Sequence, residues 1–176
     1  MANKNFKSSR GVEAVKKATE HEEKKRTHQK EMKVLHVISK KDASTVEERR
    51  ELELQINKAV AEWNKWNAMK GRRYHDLHGM TRKGAEEYVR WHVDMARKCG
   101  GKTVLRFETG RGNNSPNKVP AIKLALQATY GKEPFCKTEL EPGNDGILRI
   151  VVCIPPNLDF KLKDPYVRND LMTHQV

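Results

Sequence analysis

Two short segments constrain this chain more than anything else in it: His75-Asp76-Leu77-His78-Gly79 and Thr109-Gly110-Arg111-Gly112-Asn113-Asn114-Ser115. A short strand leads into the first. Between the two lie one helix-length and one strand-length stretch. Thr81 caps a helix that runs to about Lys98 and stops at Gly100-Gly101. Residues 102–108 then read as a strand carrying Val104, Leu105 and Phe107. A helical crossover favours parallel strands. An imidazole and a carboxylate at the end of one strand, and a glycine loop at the end of the next, then emerge on the same sheet edge, where open α/β sheets bind their ligands.

The rest of the chain extends this pattern. Through Pro116 the loop enters a helix bearing Val119, Ile122, Ala125, Leu126 and Tyr130. Residues 135–140 and 147–154 are strands joined by the turn chemistry of Pro142-Gly143-Asn144-Asp145-Gly146 and should form an antiparallel hairpin. The order is β-α-β-α-β-β, an α/β or α+β arrangement over residues 74–154. Upstream, residues 12–73 read as a basic extension of two helices, with residues 1–11 unstructured and residues 155–176 a draped or mobile tail. The first helix has no large apolar side chain across residues 20–31, so it should be exposed or loosely packed. Ser44 and Glu47 form a capping-box pattern, with Thr45 as the alternative start, before a stripe of Leu52, Ile56, Ala59, Val60, Trp63 and Trp66. The tryptophans lie on that stripe and read as packing anchors, not as a base-stacking platform. On the helix after Thr81, the buried face would be Ala85, Tyr88, Val89, His92 and Ala96, with His92 a core histidine.

Charge narrows the partners. The chain has 35 Lys and Arg against 23 Asp and Glu, a net +12 over 176 residues. That surplus points to a polyanion, nucleic acid or an anionic membrane surface. No apolar run reaches the roughly 20 residues of a membrane span. Residues 1–10 are polar and lack the apolar core of a signal peptide, and Cys99, Cys136 and Cys153 form no CxxC pair. The expectation is a reducing compartment, the cytoplasm or alternatively the nucleus, with the cysteines as buried fillers.

The two loops supply the chemistry. Asp76 and His78, one residue apart, would point to the same side of a strand. A carboxylate there can hold an imidazole in one tautomer for proton transfer. Gly110-Arg111-Gly112 follows a strand and precedes a helix, as in a dinucleotide-binding turn. The third glycine of that fingerprint is Ser115, however, and the core is too small for a paired Rossmann domain. What remains is a phosphate-binding turn, with backbone N–H groups aimed by a helix N-terminus and a forked contact from Arg111. Asn113, Asn114 and Ser115 can add hydrogen bonds, and Arg72 and Arg73 form a basic approach. No metal-ligand set is apparent, since His75 and His78 alone are a weak signal.

Together and in this order, the two segments closely resemble the motifs of the small MutS-related (Smr) domain, Leu-Asp-x-His-Gly and Thr-Gly-x-Gly-x-His-Ser. Val119-Pro120-Ala121-Ile122-Lys123 and Asn144-Asp145-Gly146-Ile147 are similar to that family's second helix and final turn. The resemblance covers residues 74–154. More faintly, the helices upstream resemble the two-helix extension that precedes the domain in many eukaryotic members. The resemblance implies an open mixed sheet with both helices on one face, similar to the C-terminal domain of a bacterial translation initiation factor. It implies a nucleic-acid endonuclease, in eukaryotic relatives one that cleaves RNA, including messages on stalled ribosomes. Two positions depart from the pattern: His75 replaces the usual leucine and Asn114 the usual histidine.

The expected activity is therefore RNA cleavage, with Asp76 orienting His78 and the Gly110–Arg111–Gly112 loop holding the scissile phosphate. The nucleophile is either the neighbouring 2′-hydroxyl, which needs no cofactor, or a water on a divalent metal held by Asp76. The alternatives are an RNA- or ribosome-binding module that has lost catalysis with Asn114, and a DNA-nicking enzyme.

Overall fold

A computed structural model describes residues 8–41, 45–69, 74–112 and 118–155. The chain divides into two compact units between Leu52 and Glu53.

The first unit is dominated by α1, Ser8–Lys41. The helix begins at Ser8 and not at Val12. Gly11 is the one poor helix former in that turn and costs only about 1 kcal/mol. Residues 20–31 are exposed apart from the partly covered His21 and His28, as the lack of apolar side chains requires, and Val15, Val34 and Val37 are exposed as well. α2, Val46–Met69, starts from a reciprocal cap in which the Glu48 amide donates to Thr45 Oγ1 (3.1 Å) and the Thr45 amide donates to Glu48 Oε2 (3.0 Å). Thr45 is thus the cap, while Ser44 lies outside the described residues.

The second unit takes in residues 53–69 of α2. The compact boundary therefore falls inside that helix, not at Tyr74. The reason is burial: Ile56, Val60 and Trp63 are all inside, and Trp66 stacks on Trp63 with ring centroids 5.2 Å apart. The remaining elements are β1 (His75–Asp76), α3 (Arg82–Cys99), β2 (Gly101–Glu108), α4 (Ala121–Tyr130), β3 (Cys136–Glu141) and β4 (Asn144–Ile154). They give the expected β-α-β-α-β-β order. The sheet order is β1-β2-β4-β3, with β1 and β2 parallel and the other pairs antiparallel.

The helices pack on one face of this open mixed sheet: α3 against β2 and β4, α4 against β3 and α3. On β4 the covered face is Leu148, Ile150, Val152 and Ile154, each nearly inaccessible, and Phe107 of β2 lies in the same layer opposite Leu148. From α3 the layer receives Ala85, Val89, Val93 and Ala96, with Tyr88 and His92 only half-buried. Val93 completes a stripe that the sequence reading left without it. The open face is charged. Arg106 forks onto Glu141 (2.6 and 3.1 Å), and Arg149 reaches Glu139 (3.2 Å) and Glu141 (3.7 Å) across the strands. At the far end of α3, Arg97 joins Glu133, Asp94 and the Cys136 thiol.

The cysteines are free but are not buried fillers. Cys99 and Cys153 are exposed and Cys136 is half-buried, because Cys99 ends a helix and Cys153 sits on the open face of β4. Among the described residues no helix is long and apolar enough to cross a membrane. The tail beyond Pro155 lies outside the described residues.

α2 is clamped to α3 by Asn57. Its Oδ1 accepts from the Thr81 amide (3.0 Å) and its Nδ2 donates to Thr81 Oγ1 (3.1 Å), which in turn caps the Gly84 amide (3.1 Å). A Cβ on Gly84 would lie 2.2–2.3 Å from the Asn57 carboxamide. Gly→Ala in a helix normally stabilises by about 1 kcal/mol. Here Gly84→Ala should destabilise by about 1–3 kcal/mol, and in an Asn57→Ala background the penalty should largely vanish. Urea unfolding of the four proteins of this double-mutant cycle measures the coupling, and additive effects would rule the clamp out.

Candidate functional site

The site grows from the end of β1. That strand is the sheet edge, so the backbone of Asp76 needs partners on its outer side as well as on β2. Asn64 of α2 supplies them: its Oδ1 accepts from the Asp76 amide and its Nδ2 donates to the Asp76 carbonyl, both at 2.7 Å. One buried carboxamide thus plays the part of a neighbouring strand.

β1 ends at Asp76, and the chain turns. Asp76 Oδ1 accepts from the His78 backbone amide (2.8 Å) and faces His78 Nδ1 (2.7 Å). The two side chains meet as expected, but through an Asx turn and not through strand alternation, because His78 is already in the turn. A carboxylate is acceptor-only, so Nδ1 carries the proton of this pair and Nε2 is the ring nitrogen on the side away from Asp76. Nε2 faces Gly110, where a Cβ would stand only 2.6 Å away. Gly110 also has φ +72°, so both its conformation and the imidazole exclude a side chain.

The glycine loop is held differently from the expectation. The amides of Thr109 (2.9 Å) and Gly110 (3.1 Å) both donate to the Gly146 carbonyl, with Thr109 Oγ1 at 3.3 Å from the same oxygen. The Gly110 N–H is therefore spent on β4 and does not face a ligand. Arg111 is exposed, and its Nε pairs with Asp145 Oδ1 at 2.5 Å. An exposed pair of this kind contributes about 0–1 kcal/mol, so the guanidinium can exchange Asp145 for a phosphate at little cost. Helix α4 does not begin directly after the glycines. It starts at Ala121, but Gly112 folds back so closely that a Cβ there would be 2.7 Å from Pro120 N. Asn113, Asn114, Ser115, Arg72 and Arg73 lie outside the described residues.

Four contributing residues lie outside the two motifs. Glu108, the last residue of β2, is the register partner of Asp76, and Asp76, His78 and Glu108 each bring one ligand-type atom within 4.8 Å of the others. A carboxylate closing an apolar strand just before Thr109 was the available signal. Asn64 lay seven residues from Asn57 beside the apolar stripe, a spacing that puts both amides on one helical face. Asp145 and Gly146 reach the site only through the β2–β4 pairing.

Behind the site, His75 points the opposite way from Asp76, into the helix-covered layer. Its ring stacks on Phe107 (5.4 Å) and lies 4.1 Å from His92, and its Nδ1 bonds Tyr88 Oη at 3.0 Å. The position where the resembled motif carries leucine is thus filled by an aromatic packing unit. Burial lowers the His75 pKa. Burial, with repulsion from His75 second, takes His92 down to about 4. Burial pushes the Tyr88 phenol up to about 12, opposed by its hydrogen bond to Asn64. Both imidazoles are therefore neutral at pH 7.

A histidine with a depressed folded pKa takes up its proton more readily in the unfolded chain. Its stabilising contribution is complete above the unfolded value, near 6.5, and is lost as pH falls toward the folded value. Stability should accordingly decline between pH 6.5 and about 4, and His92→Phe should flatten that decline. Urea midpoints across the range measure it, and an unchanged slope in the variant would remove His92 as the cause. No protein-family model, curated protein or solved structure matches the chain, so what this site does must be inferred from its own chemistry.

Proposed function

We propose that this protein is an endoribonuclease in which Asp76 orients His78 and His78 moves a proton at a scissile phosphate held beside Gly110 and Arg111. The observation that carries this reading is the 2.7 Å Asp76–His78 pair with Nε2 turned toward the glycine loop. A carboxylate-fixed imidazole beside an exchangeable arginine is suited to general acid–base work on a phosphodiester. The resemblance of both segments to Smr motifs supports the same substrate class, with ribosome-associated messages as one source of RNA. Cytoplasmic RNA is the proposed partner, and duplex DNA the weaker alternative.

Binding without cleavage is favoured by one specific feature. The Gly110 amide and Arg111 both have partners within the fold, so the loop is not pre-arranged as an open phosphate cradle.

Cleavage of labelled RNA, single-stranded DNA and duplex DNA by the full chain decides between them. The Asp76→Ala, His78→Ala double variant serves as the background. Removing the acid–base group should reduce RNA cleavage by about 10²- to 10⁴-fold. A 2′,3′-cyclic or 3′-phosphate product supports attack by the 2′-hydroxyl, and a 5′-phosphate supports water held on a metal. Salt-dependent binding with cleavage no faster than the background would establish the binding module instead.

Charge predicts where affinity resides. Residues 1–73 carry 19 basic and 11 acidic side chains, a surplus of +8, against 13 and 9, or +4, for residues 74–154. In the core, Arg97, Arg106 and Arg149 are already engaged with carboxylates. Deleting residues 1–43 should therefore weaken RNA binding and reduce the slope of log K against log salt concentration. A titration series in salt reads both, and an unchanged slope would mean that the helical surface is merely solvated.

A further inference from the structure

Cleavage of RNA by its own 2′-hydroxyl moves two protons. One leaves the attacking O2′, and one must reach the departing O5′. His78 offers a single reactive nitrogen, Nε2, because Nδ1 is held against Asp76 at 2.7 Å. Asp76 Oδ1 is committed in turn, since it also accepts the His78 amide. A second proton carrier is needed, and the parallel register of β1 and β2 places one beside the pair. Glu108 is the register partner of Asp76, so the two side chains leave the same face of the sheet. One ligand-type atom from each of Asp76, His78 and Glu108 falls within 4.8 Å of the other two. Glu108 thus stands close enough to the Asp76–His78 pair to reach the same phosphate.

We propose that Glu108 is a catalytic residue, the general base that pairs with His78 as general acid in RNA transesterification. The proposal rests on the endoribonuclease reading above. In the step, the Glu108 carboxylate takes the 2′-hydroxyl proton as the O2′–P bond forms. The P–O5′ bond breaks, and protonated His78 gives the Nε2 proton to O5′. The products are a 2′,3′-cyclic phosphate and a 5′-hydroxyl, and a further exchange of protons with solvent resets both groups. The division of roles follows from the donor inventory: a carboxylate has no proton to give and serves as the base, whereas an imidazole can deliver one from Nε2. The same three side chains could instead ligate a divalent cation. With Nδ1 engaged by Asp76, His78 would serve such an ion through Nε2, and chelation of the metal separates the two uses.

The test uses the full chain, an RNA oligonucleotide, and a second oligonucleotide with a 5′-bridging sulfur at the cleavage site. A thiolate leaves without protonation. Glu108→Gln should lower kcat about 10²- to 10⁴-fold, remove the acidic limb of the pH–rate profile and change KM little. Glu108→Asp should recover part of the loss. The sulfur substrate should rescue His78→Ala and not Glu108→Gln, and EDTA should leave parental cleavage unchanged. Parental kcat in Glu108→Gln, or sulfur rescue of Glu108→Gln instead of His78→Ala, overturns the assignment while leaving the ribonuclease reading in place. So does EDTA-sensitive cleavage whose loss in Glu108→Gln is restored by excess Mn²⁺. Absence of RNA cleavage by the parent above the Asp76→Ala, His78→Ala background overturns the ribonuclease reading itself.

Discussion

β1 is two residues long, and it exists as a strand because both of its edges are paired. On the inner side it runs parallel to β2; on the outer side the Asn64 carboxamide closes two 2.7 Å bonds onto the Asp76 backbone. A sheet edge left open in a buried setting would strand an amide and a carbonyl at a cost of about 1–3 kcal/mol each. The whole candidate site hangs from that residue. The Asp76 carboxylate sets the His78 turn, the imidazole meets Gly110, and Gly110 is held to β4 through the Gly146 carbonyl. The second half of α2 is therefore part of the site's framework and not a tether that precedes it.

The two residues of β1 send their side chains to opposite layers, which separates packing from chemistry. His75 enters the covered layer among Phe107, His92 and Tyr88, and Asp76 turns to the open side beside Glu108. The Tyr88 hydroxyl bonds His75 within the covered layer. Burying two neutral imidazoles carries an acid-side cost in stability, which protonation imposes as the pH falls.

Much of the fold was legible from residue order. Glycine pairs, a Thr81 cap and alternating apolar stretches are local signals, and they yielded the strand and helix order, the parallel edge and the final hairpin. Trp63 proved to be a packing residue, as its stripe required, with the half-buried Trp66 stacked on it. The misreadings share one cause, which is dependence on partners distant in the chain. Cys99 and Cys153 were assigned to the interior from residue type, but position at a helix end and on an open sheet face exposes them. Arg111 looked free in its loop until β4 brought Asp145 to it.

By itself the sequence determined which chemical groups are present and their local spacing. An aspartate stands two residues before a histidine, a glycine turn follows a strand, and basic charge is concentrated toward the N-terminus. Short-range geometry follows from such spacing because turns and caps close within a few residues. Only the tertiary structure decided that Glu108 stands beside Asp76, that Asn64 completes the edge of β1, and that Gly146 takes the loop's amide protons. Strand register and the docking of α2 make those choices. Both are set by burying Ile56, Val60, Phe107 and Leu148 together with satisfied backbone groups, a condition on the whole core that no single stretch of chain carries.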